Sequence, residues 1–260
     1  MNDKIIIPKR RRILVFADTH VPYQNESVIN LLVRIKDTLD FTDVIHLGDL
    51  IDAPQLLSDF ETKDLAEDFK TANRILGQLD VNYLVEGNHY GPRVKRKMNP
   101  AFHKLLNFKN YIRKETQFIP YDPYDIFRIG KLRFLHGCYH NKYAVNKHLE
   151  EFGSCIFGHI HRSGQRTIRK AGKLHQATSV GCTCDLEMDW HRTPYKHNFG
   201  FAIVYISAPH GFFQVENYTI YPENRCIYVE GKPFMYKITQ PEHHNELKIN
   251  RVKDADHSEQ

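Results

Sequence analysis

Apolar residues in this chain fall into short unbroken runs, separated by longer stretches in which they recur every three or four positions. That alternation predicts βαβ units and an α/β fold. Residues 12–17 (RILVFA) read as a buried strand, and residues 27–38, with Val28, Leu31, Leu32 and Ile35 at helical spacing, as its crossover helix. Residues 44–47 (VIHL) are the next strand. A second amphipathic stretch between residues 61 and 79 carries Leu65, Phe69, Ala72, Ile75, Leu76 and Leu79, and leads to a strand at 81–86 (VNYLVE). Residues 132–135 (LRFL) and 154–157 (SCIF) read likewise. From residue 166 the pattern alternates and turns aromatic, through 173–180, 200–207 and 212–220, so these strands are expected to form a second sheet packed on the first. Residues 240–260 are polar and lack aromatics, which predicts a mobile tail after one domain spanning 1–239.

Each strand ends on residues able to bind a cation. The first stops at Asp18-Thr19-His20, whose outer two side chains point the same way. The second stops at Gly48-Asp49-Leu50-Ile51-Asp52, where the glycine lets the backbone approach closely and Asp49 can share its two oxygens between two cations. The carboxyl ends of strands are where α/β sheets hold ligands. Gly87-Asn88-His89 offers a neutral amide oxygen and an imidazole for proton transfer. His136-Gly137 and Gly158-His159-Ile160-His161 close the series, with Ile160 expected to turn into the core. Taken singly, these are ordinary turns, and Asp52 an ordinary helix N-cap. Repeated at successive strand ends, they read as one site. Asp18, His20, Asp49, Asn88, His136, His159 and His161 supply oxygen and nitrogen with no thiolate, a set suited to two first-row divalent ions with Asp49 bridging.

Composition sharpens this picture. With 41% hydrophobic residues in 260, the chain can bury one large core. No apolar run approaches a membrane span, and the first dozen residues carry most positive charge after their apolar residues, unlike a secretory signal. Five cysteines with no Cys-x-x-Cys pairing argue against a disulfide framework and for the reducing cytoplasm. Cys182-Thr183-Cys184 is either a redox or metal pair or, more simply, two small residues in a strand or turn. The net charge of +5 is unevenly spread: Arg93, Lys95, Arg96, Lys97, Lys104, Lys109, Arg113 and Lys114 fall between residues 91 and 114 without one acid. Such a block attracts phosphate-rich ligands, unless it is a solvated helix face with Phe102, Leu105, Leu106 and Phe108 turned inward. Residues 52–80 are acidic and read as largely surface helix; Phe212, Phe213, Tyr218 and Tyr221 could line an interface or pack a sheet.

In their order and spacing, D-x-H, G-D-x-x-D, G-N-H, H-G and G-H-x-H between Asp18 and His161 resemble the calcineurin-like metallophosphoesterase superfamily. The resemblance implies a four-layer α/β/β/α sandwich of two mixed sheets flanked by helices, with residues 91–118 as a basic helical insertion. It implies that Asp18, His20 and His161 hold one ion, that Asn88, His136 and His159 hold the other, and that Asp49 bridges them. His89 would protonate the leaving oxygen, oriented by Asp52, and a hydroxide shared by the ions would attack. The implied cofactors are two divalent ions, Mn²⁺ foremost, with Fe²⁺, Zn²⁺ or Ni²⁺ also accommodated. Protein serine/threonine phosphatases carry Arg-Gly where this chain has Ala53-Pro54, and an acid where it has Tyr90, which turns the reading away from phosphoproteins. The interval holding Lys142 and Lys147, then Trp190 and the stretch from Gly200, is similar to uncharacterised phosphoesterases of phages and prophages, which implies the host cytoplasm. The expected function is a phosphodiesterase of nucleic acid or nucleotides, with Arg93, Lys95, Arg96 and Lys97 binding flanking phosphates. The alternatives are a phosphomonoesterase of nucleotides or small molecules and a non-catalytic binding scaffold, the latter disfavoured because every ligand position is filled. No membrane partner is expected.

Overall fold

A computed structural model describes residues 4–6, 10–53, 64–122, 127–187 and 196–239. The expected tail, Pro54, Trp190 and the start of the acidic stretch lie outside the described residues. In chain order the elements begin with β1 (Lys4–Ile6), β2 (Arg11–Phe16), α1 (Glu26–Thr38), β3 (Asp43–His46), α2 (Leu65–Gln78) and β4 (Tyr83–Val85). Next come α3 (Tyr90–Lys97), α4 (Pro100–His103), β5 (Gln117–Ile119), β6 (Phe127–Ile129), β7 (Leu132–Leu135), α5 (Ala144–Phe152) and β8 (Cys155–Phe157). The chain closes with β9 (Gly164–Lys170), β10 (Lys173–Ser179), β11 (Phe199–Ile206), β12 (Phe213–Ile220) and the hairpin of β13 (Cys226–Val229) and β14 (Lys232–Met235).

Two six-stranded mixed sheets form, in the orders β12-β11-β2-β3-β4-β5 and β1-β6-β7-β8-β10-β9. Alternation along β2 shows how the layers arise. Ile13 and Val15 face the second sheet, where Ile45, Val85, Phe127, Phe134 and Ile156 complete a core. Leu14 and Phe16 face the other way, onto Val28, Leu32 and Ile35 of α1 and Ile75 and Leu76 of α2. A strand buried on both faces is apolar at every position, which is why it reads as an unbroken run. On the far side, α5 packs Ala144, Leu149 and Phe152 over Cys155, Phe157 and Ala177. The result is the expected sandwich of helices, sheet, sheet and helix.

Helix boundaries follow local chemistry. Asn25 caps α1 by accepting from the Val28 amide at 3.2 Å, and Asp64 caps α2 through the Ala66 amide at 2.9 Å. Two expectations need correcting. β11 and β12 do not build the second sheet; β11 pairs antiparallel with β2, setting Ala202 opposite Val15, and β12 follows it. β11 is buried along nearly its whole length, as a strand near the middle of a covered sheet must be. Only β9 and β10 of that region join the second sheet. The basic segment is also not one helix with its apolar side inward. Pro100 cannot continue α3, so a short new helix starts there under an Asn99 cap. Phe102 (50% exposed) and Leu105 (62%) consequently face solvent, while Phe108 is buried against Phe69 and Tyr90. Among the described residues, no helix is long and apolar enough to cross a membrane.

Candidate metal centre

The carboxyl ends of β2, β3, β4, β7 and β8 meet at one rim, and the backbone there is held in an unusual conformation. Asp18, His20, Asp49, His159 and His161 all have positive φ, between 48° and 69°. Each such residue costs about 1–2 kcal/mol, so the surrounding structure must over-determine it. It does so by cross-strand bonds between the loops: the amides of Asp18, His20 and Val21 donate to the carbonyls of Gly48, Asp49 and Leu50 at 2.9–3.0 Å. On the other side, the Gly158 amide donates to the His136 carbonyl at 3.0 Å. Two glycines make the close approach feasible. Gly48 has φ +104°, and a Cβ at Gly87 would lie 1.9 Å from Asp49 Oδ1.

All seven predicted donors converge on this rim, in two groups that share Asp49. In one, His20 Nε2 lies 3.0 Å from His161 Nε2 and 3.9 Å from Asp49 Oδ2, and His161 Nε2 lies 3.8 Å from Asp18 Oδ1. In the other, His136 Nε2 lies 3.1 Å from Asp49 Oδ2 and 2.9 Å from Asn88 Oδ1, and one donor atom each of Asp49, His136 and His159 fall within 4.8 Å of one another. The outer atoms of these side chains are tied back. His20 Nδ1 bonds Asp52 Oδ1 at 3.0 Å, and His136 Nδ1 donates to the Leu47 carbonyl at 2.9 Å. Asp18 Oδ2 accepts from the His159 amide at 2.8 Å, and Asp49 Oδ1 from the His89 amide at 3.0 Å. Each carboxylate thus has one oxygen fixed by the main chain and turns the other toward imidazole nitrogens. Partners of this kind set which ring nitrogen is left to bind a cation.

The electrostatics fit the same chemistry. Asp18 Oδ1 is buried without a hydrogen-bond partner, and burial pushes that carboxyl up to about 8, with neighbouring Asp49 adding and His136 opposing. Burial also works against an ionised Asp49, yet His136 and His89 outweigh it and hold that carboxyl well below the ordinary range. Conversely, Asp49 overcomes burial at His136 and lifts it to about 9. Burial drives His159 down to about 3 and lowers His20. A buried carboxyl oxygen without a hydrogen-bond partner, set among imidazole nitrogens, is a site for compact positive charge, and the oxygen and nitrogen donors suit a divalent first-row ion.

His89 stands beside this cluster, with Nδ1 hydrogen-bonded to Asp52 Oδ1 and Nε2 3.7 Å from Asp49 Oδ2. Asp52 is buried. It serves His20 and His89 together, and those bonds hold it below the usual carboxylate range despite its burial. Arg93, one turn into α3, donates to the Asp52 carbonyl and lies 3.4 Å from Asp52 Oδ2. The four basic residues singled out from the sequence therefore divide: Arg93 braces Asp52, while Lys95, Arg96 and Lys97 are exposed along the helix. Tyr90 is buried and donates to the Leu106 carbonyl at 3.1 Å, so it anchors the basic segment rather than facing the cluster.

Two features take their place only in the fold, and the first escaped the sequence reading altogether. His46, fully buried and kept neutral by burial to about 3, accepts from the Gly48 amide at Nδ1 and donates from Nε2 to Thr19 Oγ1 at 2.8 Å. Thr19 donates on to Thr183 Oγ1, and Thr183 to the Ala17 carbonyl, so one relay clamps the loops carrying Asp18, His20 and Asp49. Its only signal was a histidine inside an apolar run. The second is the place of Cys184, read from the sequence as half of a redox or metal pair or as a small residue in a turn: its buried Sγ lies 4.0 Å from His161 Nδ1. Burial pushes this thiol well above its ordinary value.

No protein-family model and no curated protein matches the chain. Solved structures do, remotely. Vacuolar protein sorting 29 from Cryptosporidium parvum aligns with a TM-score of 0.39 at 14% identity, over 81% of this chain and 98% of that one. The Pseudomonas putida nuclease MPE gives 0.37 at 14%, over 74% and 84%. The phosphoesterase YfcE from E. coli gives 0.36 at 12%, over 81% and 100%. Likenesses this remote assign no residue a role. Two mixed sheets, outer helices and donors gathered at one rim are the arrangement expected from the motifs.

Proposed function

We propose that this chain is a dinuclear-metal-dependent phosphoesterase that hydrolyses phosphodiesters of nucleic acid or nucleotides. The observation that carries the reading is Asp49, whose Oδ2 lies 3.1 Å from His136 and 3.9 Å from His20, between the two donor groups. Asp18, His20 and His161 would hold one ion, Asn88, His136 and His159 the other, and Asp49 would reach both. Mn²⁺ suits these donors, as do Fe²⁺, Zn²⁺ and Ni²⁺. When bound, such a pair supplies Lewis-acid stabilisation of the phosphate oxygens and an activated water.

The chain's own groups do the rest. His89 places Nε2 at the edge of the cluster, where it can hand a proton to the leaving oxygen. Asp52 accepts a hydrogen bond from Nδ1–H, which fixes the ring's orientation, and Arg93 keeps Asp52 in place. Lys95, Arg96 and Lys97 follow within two turns, so phosphates flanking the scissile bond can be held by exposed charge. That extended footing favours a diester within a strand.

The test compares hydrolysis of bis-p-nitrophenyl phosphate with that of p-nitrophenyl phosphate by Mn²⁺-loaded protein, with Asp49→Asn as control. Preference for the diester is expected. Preference for the monoester would make a nucleotide or small-molecule phosphatase the working answer, and no hydrolysis of either by metal-loaded protein would leave a binding scaffold.

A further inference from the structure

We infer that Cys184 is an additional donor of this centre, giving the ion held by His20 and His161 a sulfur ligand that the other ion lacks. The inference rests on the dinuclear reading above and concerns residues its motifs do not include. A ring nitrogen of His20, one of His161 and the Cys184 sulfur all lie within 4.8 Å of one another, and all three residues are buried. The same pocket holds Asp18 Oδ1, buried and without a partner, 3.8 Å from His161 Nε2. Position is enforced by the backbone: the amides of Thr183 and Cys184 both donate to the Asp18 carbonyl, at 3.2 and 3.1 Å, so the cysteine is pinned to the loop that carries the first two donors. Cys182, two residues earlier, directs its thiol to the main-chain carbonyls of Cys184 and Asn198 instead.

The geometry is close to what coordination needs. Zinc-to-sulfur and zinc-to-nitrogen bonds at a tetrahedral angle set an edge of about 3.6 Å, and the sulfur lies within 4.8 Å of one ring nitrogen each of His20 and His161, so a modest inward movement of the sulfur completes the set. Its 4.0 Å contact is to His161 Nδ1, on the side of the ring away from the Nε2 that faces His20. The second group, Asp49 with His136 and His159, has no cysteine among its clustered donors. The two positions should therefore differ in taste. Sulfur favours Zn²⁺, Co²⁺ or Fe²⁺ over Mn²⁺, whereas the second group accepts any of them. On binding, the thiol proton leaves to solvent and the sulfur's electron pair forms the bond to the ion.

Metal-free protein titrated with Co²⁺ tests this. Two ions should bind, and a thiolate-to-cobalt charge-transfer band in the near ultraviolet should accompany only one of them. The band should vanish in Cys184→Ser and persist in Cys182→Ser and Cys138→Ser. Two ions bound without the band, or a band surviving Cys184→Ser, overturns the inference and leaves Cys184 as a hydrogen-bond partner of His161 Nδ1. No ion bound at all would instead overturn the dinuclear reading and the inference with it. Should Cys184→Ser not fold, X-ray absorption of the unmodified protein with one equivalent of Zn²⁺ decides: a sulfur shell near about 2.3 Å is expected, and a shell of nitrogen and oxygen alone contradicts.

Discussion

The rim of the two sheets and the basic segment from residue 91 to 114 are neighbours in sequence and opposites in construction. At the rim, Asp18, His20, Asp49 and His136 are buried, bonded to main chain or to one another, and held by loops that share hydrogen bonds across strands. In the segment, short helices broken at Pro100 leave Lys95, Arg96, Lys97, Phe102 and Leu105 in solvent. The difference separates two tasks. Under the proposed function, hydrolytic chemistry would be built into the core and could hardly be altered without disturbing the fold, whereas choice of substrate would be carried by surface side chains that stability does not need. Each half can therefore be broken alone.

The largest effect is expected at the shared carboxylate. Asp49→Asn should remove bound metal and lower hydrolysis by on the order of 10³-fold, the scale of losing a preorganised charge-stabilising group, measured by metal analysis and rate together. His89→Ala should keep both ions yet slow cleavage of an oligonucleotide by about 10²–10⁴-fold. On the p-nitrophenyl diester it should lose far less, because that leaving group needs little protonation. Equal losses on both substrates would show that His89 is not the acid.

Gly87→Ala probes the same rim through packing. Its Cβ would fall 1.9 Å from Asp49 Oδ1, so the loop or the carboxylate must move. A loss of about 1–3 kcal/mol in stability is expected, together with weaker metal binding, by denaturant titration with and without metal. The same titration carries a pH signature. Asp18, raised to about 8, and His136, raised to about 9, bind protons more tightly folded than unfolded. The contribution of Asp18 is lost between about pH 4 and 8 and that of His136 between about 6.5 and 9, so stability of the metal-free protein should fall as pH rises from 6.5 toward 9, and bound metal should flatten that fall by replacing the protons. Below pH 6.5, His46 and His159, both held near about 3, resist protonation in the fold and together outweigh the opposite contribution of Asp18, so stability should also decline as acid is added.

The smallest effect on the fold belongs to the segment. Replacing Lys95, Arg96 and Lys97 together by Gln should change stability by no more than about 0.5 kcal/mol per site and leave the small diester untouched. Binding of single-stranded oligonucleotides should weaken, its salt slope falling by about 0.7 for each phosphate no longer neutralised. An unchanged slope would strip the segment of its role.

What was legible follows the same divide. The donors could be read because each stands within a few residues of an apolar run, and a strand's end is a local property. α1 and α2 were legible for the same reason, through periodicity over three or more turns. Sheet membership was not, since the pairing of β11 with β2 joins residues nearly two hundred apart and leaves no mark in either run beyond its apolarity. Strands of three residues such as β5 and β6 are too short to show a period. The alternative reading, with Phe102 and Leu105 turned inward, failed because Pro100 breaks the helix that would have carried them. Cys184 and His46 gain their meaning only from partners on distant loops.

Whether ions held at Asp49 and its neighbours make this chain a phosphoesterase is decided by reconstitution. Chelated protein is given Mn²⁺ stepwise, and hydrolysis of bis-p-nitrophenyl phosphate is followed against ions bound per chain. The expected rate is negligible without metal and reaches its plateau when two ions are bound. A rate that is the same before and after metal returns would contradict a metal-dependent phosphoesterase.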